Sequence, residues 1–416
     1  MSELTTLVPE YAEAKKLEND SKKTATKLGN DIKAEFANQN IDSFSAGGYT
    51  VTMSISTRDE MLEDKMIDFV KSTGIEGIVK TKEYIDTDEL EKALYEDLGR
   101  SKTEAYLCDI GPVIVEINET IRGLKKWARP EKHFSGLMCF PSMSTTVYKM
   151  PYGVSLIISP FNFPILLTLG VLTASIAGGN TAVIKTSSKS AASTKALQKL
   201  IAETFPENYV TVIDGGHDVA DMCLAQRFDK IFYTGSPEVG KHVLAEAAKN
   251  LTSVALELGG ENGNWCIVRK DADIKDAARK IAFFKLCNAG QICININQIA
   301  VAHEIADSFN EALKNEFIRQ IGEKPEENEE YPKLINDAAY GKCEKLAEEY
   351  KDRIIFGGTG NEETRRFAPT MIYPVKVDED IVKQELFCPL LPIVPFKDDE
   401  IDNLMETIAD REHPLA

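Results

Sequence analysis

The feature that most restricts this chain is an alternation of apolar and amphipathic segments between Val154 and Glu257. Short apolar runs at Val154–Ser159, Thr181–Ile184, Tyr209–Ile213, Lys230–Tyr233 and Ser253–Glu257 are separated by helix-periodic stretches near Ile165–Ala177, Ser190–Thr204, Val219–Ala225 and Val239–Lys249. Parallel strands need a crossover of about a dozen residues or more, and a helix is the usual one. The segment therefore reads as βαβ units building a parallel sheet. Ligands of such sheets bind outside the carboxyl ends of the strands. The residues that follow each apolar run are thus where chemistry is to be sought.

The flanks read differently. Leu4, Leu7, Val8, Tyr11, Ala14 and Leu17 recur at helical spacing, whereas Tyr49, Val51, Met53 and Ile55 alternate with Thr50, Thr52, Ser54 and Ser56 as in a half-buried strand. Thr57 and Glu60 have capping-box spacing ahead of Leu62, Met66, Phe69 and Val70, and a second strand is expected from Gly77 to Tyr84. Residues 1–85 are accordingly a small α+β unit. Asp86 can cap a helix carrying Leu90, Leu94 and Leu98. A long helix over Ser101–Trp127 then aligns Leu107, Ile110, Ile114, Ile117, Ile121 and Leu124 on one stripe. It breaks at Arg129-Pro130, and Thr145–Lys149 follows as an extended arm. From Asn264 a further α/β segment begins: a helix introduced by Asp271 and Asp273 runs to about Leu286, an apolar run covers Ile292–Ala302, and a helix lies near Ile305–Gln320. Ile354–Gly357 and Leu391–Phe396 read as strands. The chain divides on this reading into 1–85, 86–257 and 258–416.

Composition excludes several classes of partner. With 66 acidic against 48 basic side chains, a net charge of −18 offers no basic field for nucleic acid or an anionic membrane. No run of 18 apolar residues suggests a membrane span, and Met1–Glu10 has no secretory pattern. The 8 cysteines form no C-x-x-C pair and only 5 histidines accompany them, so no metal site is expected and a reducing cytoplasm is.

Five segments could carry chemistry. Pro160-Phe161-Asn162-Phe163-Pro164 follows a strand directly; Asn162 either caps the next helix or donates its amide N–H to a developing oxyanion. Gly235-Ser236-Pro237-Glu238-Val239-Gly240 has the strand–turn–helix setting in which backbone approaches phosphates, although a plain turn fits it equally. In Leu256-Glu257-Leu258-Gly259-Gly260 a carboxylate ends an apolar strand; desolvation there would raise its pKa and suit it to act as a base, unless it escapes to solvent. Asn288-Ala289-Gly290-Gln291-Ile292-Cys293 places a thiol at a helix-to-strand junction, beside amides that would favour its thiolate; the alternative is a small buried hydrophobe. With so few histidines, a base for Cys293 would be a carboxylate, and Glu257 is the natural one. Gln384-Glu385-Leu386-Phe387-Cys388-Pro389, taken alone, is a loop entering a strand.

Together, and in this order, the five motifs resemble the aldehyde dehydrogenase superfamily, most closely its class 3 branch of fatty and aromatic aldehyde dehydrogenases. The similarity runs from about residue 90 to Ala416 and includes the Ala93-Leu94-Tyr95-Glu96-Asp97-Leu98-Gly99-Arg100-Ser101 stretch. It implies a Rossmann-like NAD(P)-binding domain over 86–257, a catalytic α/β domain over 258–416, and NAD(P)-dependent oxidation of an aldehyde to a carboxylate. Cys293 would be the nucleophile, Asn162 and the Cys293 N–H the oxyanion donors, and Glu257 the activator of the hydrolytic water. Lys185 would hold the cofactor ribose, and Gly235, Ser236 and Gly240 would approach the pyrophosphate. Glu385 and Phe387 would position the nicotinamide ribose. Family members commonly dimerise through an arm and a C-terminal strand, so a homodimer is implied.

The chain also departs from the family pattern. Ser188 stands where an acid often selects against a 2′-phosphate, and Lys189 follows it, so NADP should be accepted and even preferred. Glu261 replaces a lysine after the glycine pair. The sequence stops short of the family's usual end, which predicts a truncated catalytic domain. Residues 1–85 resemble small proteins of phage-related gene clusters, as in Lys80-Thr81-Lys82-Glu83-Tyr84-Ile85-Asp86. Two alternatives follow: a phage-related accessory protein fused to an inactive truncated dehydrogenase, or a coenzyme A-acylating aldehyde dehydrogenase. Retention of Glu257, the hydrolytic base, weighs against the second.

Overall fold

The computed structural model describes residues 43–46, 49–52, 87–134, 136, 144–260, 262–411 and 413–416. The chain splits into a unit of Met1–Val79 and a unit of Lys80–Ala416. In the first, β1 (Ser43–Ala46) pairs antiparallel with β2 (Tyr49–Thr52), Ser43 opposite Thr52. The expected strand over Tyr49–Ile55 is met by β2 in its first residues. The helices and second strand expected elsewhere in 1–85, and most of the segment resembling phage proteins, lie outside the described residues.

The second unit begins with α1 (Thr87–Leu98), whose Leu90, Leu94 and Leu98 are buried as their spacing requires. The expected single helix from Ser101 is interrupted. A short turn, α2 (Lys102–Ala105), passes into a π-helical turn over Tyr106–Ile110 and then into α3 (Gly111–Trp127). The wider turn shifts the apolar stripe out of register. Ile110 is buried, but Leu107, Ile121 and Leu124 are exposed, which corrects the expectation of one continuous core-facing stripe. The extended arm is a hairpin: β3 (Glu131–Phe134) pairs antiparallel with β4 (Ser144–Val147).

The first large sheet contains β5 (Val154–Ile158), β6 (Thr181–Lys185), β7 (Val210–Ile213), β8 (Lys230–Gly235) and β9 (Ser253–Leu258), in the order β7-β6-β5-β8-β9 and parallel throughout. Its crossovers are α4 (Leu166–Ala177), α5 (Ala191–Thr204), α6 (His217–Leu224) and α7 (Pro237–Ala248). Each lies within two residues of its expected position. The chain steps outward from β5 to β7 and then returns to lay β8 on the other side of β5. That reversal opens a crevice at the carboxyl ends of β5 and β8.

Two of these helices are capped by carboxylates from earlier in the chain. Asp97 accepts N–H bonds from Ala192 and Ser193 at 3.1 and 2.7 Å, and Asp109 accepts from Ile165 and Leu166 at 3.2 and 2.6 Å. A carboxylate at a helix N-terminus satisfies orphan donors and complements the dipole.

A short connection from Leu258 leads to the second large sheet. There β10 (Asn264–Val268), β11 (Ile296–Ala302), β16 (Leu390–Phe396) and β15 (Thr370–Ile372) run parallel, and β12 (Ile354–Phe356) closes the edge antiparallel. Ladder pairs β13 (Gly360–Asn361) and β14 (Arg366–Phe367) form a small hairpin. Helices α8 (Ile274–Leu286), α9 (Ala306–Ile321) and α10 (Asp337–Glu349) cover this sheet, and α11 (Ile401–Ala409) follows β16. The largest buried apolar cluster lies here, with Phe309, Leu313 and Phe317 of α9 against Ile299, Val301 and Ile393. Among the described residues no helix is long and apolar enough to cross a membrane.

Candidate active site

The carboxyl ends of β5 to β9 open into a cleft of ≈ 340 Å³. Asn162, Lys185, Ser188, Gly235, Ser236 and Glu257 reach it from the first sheet, and Cys293, Glu385 and Phe387 from loops of the second. Gly240 is the one sequence-predicted site residue that does not line it. It sits one turn into α7, its N–H bonded to Ser236 O at 2.9 Å, and a Cβ there would lie 2.7 Å from Leu258 Cδ2. Its smallness lets α7 approach β9.

Asn162 follows β5 and is buried. Its Nδ2 donates to Gln291 O at 3.1 Å, and its carbonyl accepts from Asn288 Nδ2 at 3.1 Å and from the Arg100 guanidinium. The loop ahead of Cys293 is held as tightly. Asn288 and Ala289 have φ of 50° and 49°, and Gly290 follows at 76°, where a Cβ would stand 2.4 Å from Cys388 O. Only glycine tolerates that approach. The Gln291 amide donates to Asn288 O and Lys333 O at 3.0 and 3.1 Å and accepts from Ile335 N–H at 3.0 Å.

Cys293 is half-buried at the cleft. Burial pushes its thiol up, and the carboxylates Glu385 and Glu257 add to the shift; the N–H groups of Cys293 and Ile294 oppose it. The amides are present as the sequence suggested, but desolvation and negative neighbours outweigh them. Glu257 is exposed near the end of β9, so of the two readings open for it the escape to solvent is the one met.

Glu385 occupies the more enclosed position. Burial pushes its carboxyl up to about 7, with Lys342 opposing, and its Oε1 is buried without a hydrogen-bond partner. A Cβ at Gly259 would fall 2.5 Å from that oxygen, so the glycine makes room for it. Phe387, at φ 54°, meets Phe161 edge to face with ring centroids 5.8 Å apart. Lys185 is buried, its Nζ donating to Thr186 O and Gly215 O at 2.5 and 2.7 Å, and burial lowers its pKa against the pull of Asp214. Ser188 and Lys189 are exposed at the rim, with Lys189 Nζ 5.2 Å from the Phe161 ring centroid.

Sequence reasoning missed two parts of this site. Gly215, Gly216 and His217 line the cleft after β7; a glycine pair directly after an apolar run was the available signal. Arg100 is wholly buried between Asp109 (2.6 Å), Asn288 Oδ1 (3.0 Å) and Asn162 O, with its guanidinium 4.4 Å from the Phe163 ring centroid. No local pattern marks it. Asp271 is likewise not the residue that starts α8; Asp273 is, its carboxylate accepting from Lys275 and Asp276 N–H. Glu261 lies outside the described residues.

Comparison with known proteins bears on this arrangement. The family model described as aldehyde dehydrogenase family matches residues 78–409. A 4,4′-diaponeurosporen-aldehyde dehydrogenase of Staphylococcus aureus is 35% identical over 365 residues, covering 88% of this chain and 75% of the relative. Aldehyde dehydrogenase family 3 member H1 of Arabidopsis thaliana is 34% identical over 331 residues, covering 79% and 67%. Among solved structures, the substrate-bound state of Staphylococcus aureus AldH superposes with a TM-score of 0.76 at 33% identity, covering 91% of this chain and 77% of that one.

Proposed function

We propose a division of labour among the cleft residues from one premise: the chain belongs to the aldehyde dehydrogenase family, in its class 3 branch, and catalyses NAD(P)-dependent oxidation of an aldehyde. The accessory-protein and coenzyme A-acylating alternatives are not favoured. The observation that carries the assignment is the convergence of Cys293, Asn162 and Glu257 on one cleft with Lys185, Ser236 and Glu385.

The cleft fits a dinucleotide. Ser159 Oγ, Thr234 Oγ1 and Glu385 Oε1 all line it and are buried without partners, and such atoms call for a ligand or water to complete them. When bound, NAD(P) supplies the acceptor for the hydride that leaves the substrate carbon. Lys185, Glu385 and Phe387 hold its riboses in this reading. Gly235 and Ser236, at the N-terminus of α7, face its phosphates, where free N–H groups favour an anion. Ser188 and Lys189 leave room and positive charge for a 2′-phosphate.

Cys293 performs the attack. Because its thiol is pushed up, it must lose a proton first, and Glu257, a carboxylate reaching the same cleft, is the acceptor. Sγ bonds to the carbonyl carbon and the π pair moves to oxygen. One N–H of Asn162 is spent on Gln291 O, and an amide carries two. The second, with the Cys293 N–H, is left for the oxyanion. Oxidation yields a thioester. Glu257, exposed at the cleft, gives up the first proton to solvent and then takes one from water as the water oxygen attacks the thioester carbon. The C–S bond breaks, the Glu257 proton passes to the leaving Cys293 thiolate, and the acid product ionises to carboxylate by losing its proton to solvent. The exposure of Glu257 admits that water.

The substrates we infer are medium-chain aliphatic or aromatic aldehydes, a reading supported by Phe161 and Phe387 at the cleft. Oxidation of an aldehyde panel with NAD and NADP tests the assignment. Cys293→Ala should abolish NAD(P)H formation yet keep thermal stabilisation by cofactor; turnover surviving in that variant would refute the nucleophile.

The same reading gives 1–85 as a small α+β unit, 86–257 as the NAD(P)-binding domain and 258–416 as the catalytic domain; the passage from β9 to β10 between Leu258 and Asn264 supports the second boundary. A cytoplasmic homodimer completes it. The exposed Leu107, Ile121, Trp127, Phe134 and Tyr148 support the dimer.

A further inference from the structure

Away from the cleft, two thiols from distant parts of the chain touch. Cys108 lies in the π-helical turn and Cys287 directly follows α8, and their Sγ atoms are 3.4 Å apart. Both side chains are half-buried, so a small oxidant can reach them. Glu104 completes the group, with one oxygen within 4.8 Å of both sulfurs. Cys343 and Cys388 also share a thiol hydrogen bond, but both are buried from solvent.

We propose that Cys108 and Cys287 are a reversible dithiol–disulfide couple through which peroxide controls the loop that carries Cys293. The bond that forms is Sγ108–Sγ287. The Cys108 thiolate attacks one peroxide oxygen; an S–O bond forms, the O–O bond breaks, and the released hydroxide takes a proton to become water. The Cys287 thiol passes its proton to Glu104, and its sulfur attacks Cys108 Sγ. The S–S bond forms, the S–O bond breaks, and the departing hydroxide takes the Glu104 proton as a second water. Two thiols are oxidised by two electrons and one peroxide is reduced to two waters.

The local chemistry suits these roles. The hydrogen bond shared with Cys287 holds the Cys108 thiol below its ordinary range, which suits it to be the attacking group. Burial pushes the Glu104 carboxyl up, so it is fitted to take a proton.

The consequence follows from what each cysteine is attached to. A disulfide holds its sulfurs about 2.05 Å apart, so closing the present gap needs a displacement of about 1.3 Å. The Cys108 side is anchored by its neighbour Asp109, which Arg100 and two N–H groups of α4 hold. The Cys287 side continues into Asn288, whose N–H donates to Glu104 at 2.6 Å and whose amide donates to Asn162 O and Gln291 O. Closing the gap therefore pulls directly on the loop that orders Asn162 and Cys293, because Cys287 is joined to it through Asn288. Displacing a reacting group by about 1 Å can lower a rate on the order of a hundredfold. This last link rests on the proposed roles of Asn162 and Cys293; formation of the bond does not.

The test separates the two. Peroxide-treated Cys293→Ala chain, blocked with maleimide and digested, should yield a 108–287 cross-linked peptide that dithiothreitol releases. Both thiols remaining open to maleimide would overturn the proposal whatever the chain's activity. In wild type, peroxide should lower kcat at least tenfold, with a fraction restored by dithiothreitol, and that recoverable fraction should be absent from Cys108→Ser. A cross-link that leaves kcat unchanged would overturn the control of the loop. Zinc retained stoichiometrically by the reduced chain through chelator dialysis, and lost in Cys287→Ser, would make the cluster a cation site and overturn the couple.

Discussion

Replacing Glu385 by Gln removes the one cleft carboxylate whose ionisation falls near neutrality. Its pKa rises from the ordinary 4.5 to about 7 because burial strips water from the charge, with only Lys342 opposing. A carboxyl raised in this way keeps a proton that the unfolded chain has already released. Its contribution to stability is whole below pH 4.5 and is lost as pH climbs through about 7. At 1.36 kcal/mol per pH unit the interval corresponds to roughly 3 kcal/mol, and partial solvent exposure reduces it to about 1–2 kcal/mol. Between pH 5 and pH 8, wild type should therefore lose about 1–2 kcal/mol relative to Glu385→Gln in paired urea titrations. Cofactor binding should move the other way. In the proposed role the ionised carboxylate accepts from ribose hydroxyls and gains the partner its Oε1 lacks, so NAD(P) Kd should tighten by about three- to tenfold from pH 6 to pH 8 in wild type. In Glu385→Gln it should stay flat. Identical pH dependence of the two chains in both measurements would show that Glu385 is neither the buried titrating group nor a cofactor ligand.

The remaining predictions concern selectivity, assembly and the buried ion pair. With Ser188 and Lys189 exposed at the rim, kcat/KM for NADP should equal or exceed that for NAD; a preference for NAD of about tenfold or more, 1.4 kcal/mol, refutes the reading of those two residues. Light scattering after size exclusion should give twice the chain mass, and Trp127→Glu with Phe134→Glu should halve it; a wild-type monomer refutes the dimer. Arg100→Ala leaves Asp109 buried without its partner and should destabilise the chain by about 3–5 kcal/mol in urea titration, whereas a loss under about 1 kcal/mol would show that the pair holds nothing together.

Much of the fold was written in local pattern. The strands and helices of the first sheet sit within two residues of their apolar periodicity, since strands buried on both faces must be continuous apolar runs. Part of the cleft was legible for a related reason: Asn162, Lys185, Gly235, Ser236 and Glu257 stand at or just beyond the carboxyl ends of such runs, and Cys293 follows Gly290, whereas Glu385 and Phe387 were marked by the family resemblance alone. The environment of those residues was not legible. Whether Glu257 is desolvated depends on where its strand ends relative to the other sheet, and whether Cys293 favours its thiolate depends on Glu385, 92 positions away in the chain. The β3 strand carries Glu131, Lys132 and His133, all exposed, so no apolar alternation announced it. The π-helical turn was hidden as well. Its residues keep helical composition, and the turn carries Asp109 into the core.

The burial of Asp109 bears on how the site is held. Arg100 bonds at once to Asp109, to the carbonyl of Asn162 and to the side chain of Asn288. Asp109 in turn anchors the first turn of α4, the helix that leaves the Asn162 loop. One guanidinium thus ties the end of β5 on the first sheet to the loop that delivers Cys293 from the second. An arginine suits this task because its planar fork makes several directed bonds without losing its charge when buried. Burying the pair costs desolvation that hydrophobic packing would avoid, so its value lies in fixing the relative position of two loops to within a hydrogen bond. The nucleophile and oxyanion donor proposed for Cys293 and Asn162 would need that precision, and neither sheet supplies it alone. The segment from Arg100 to Asp109 contains no residue that lines the cleft, yet the geometry of Asn162 and Cys293 is set there.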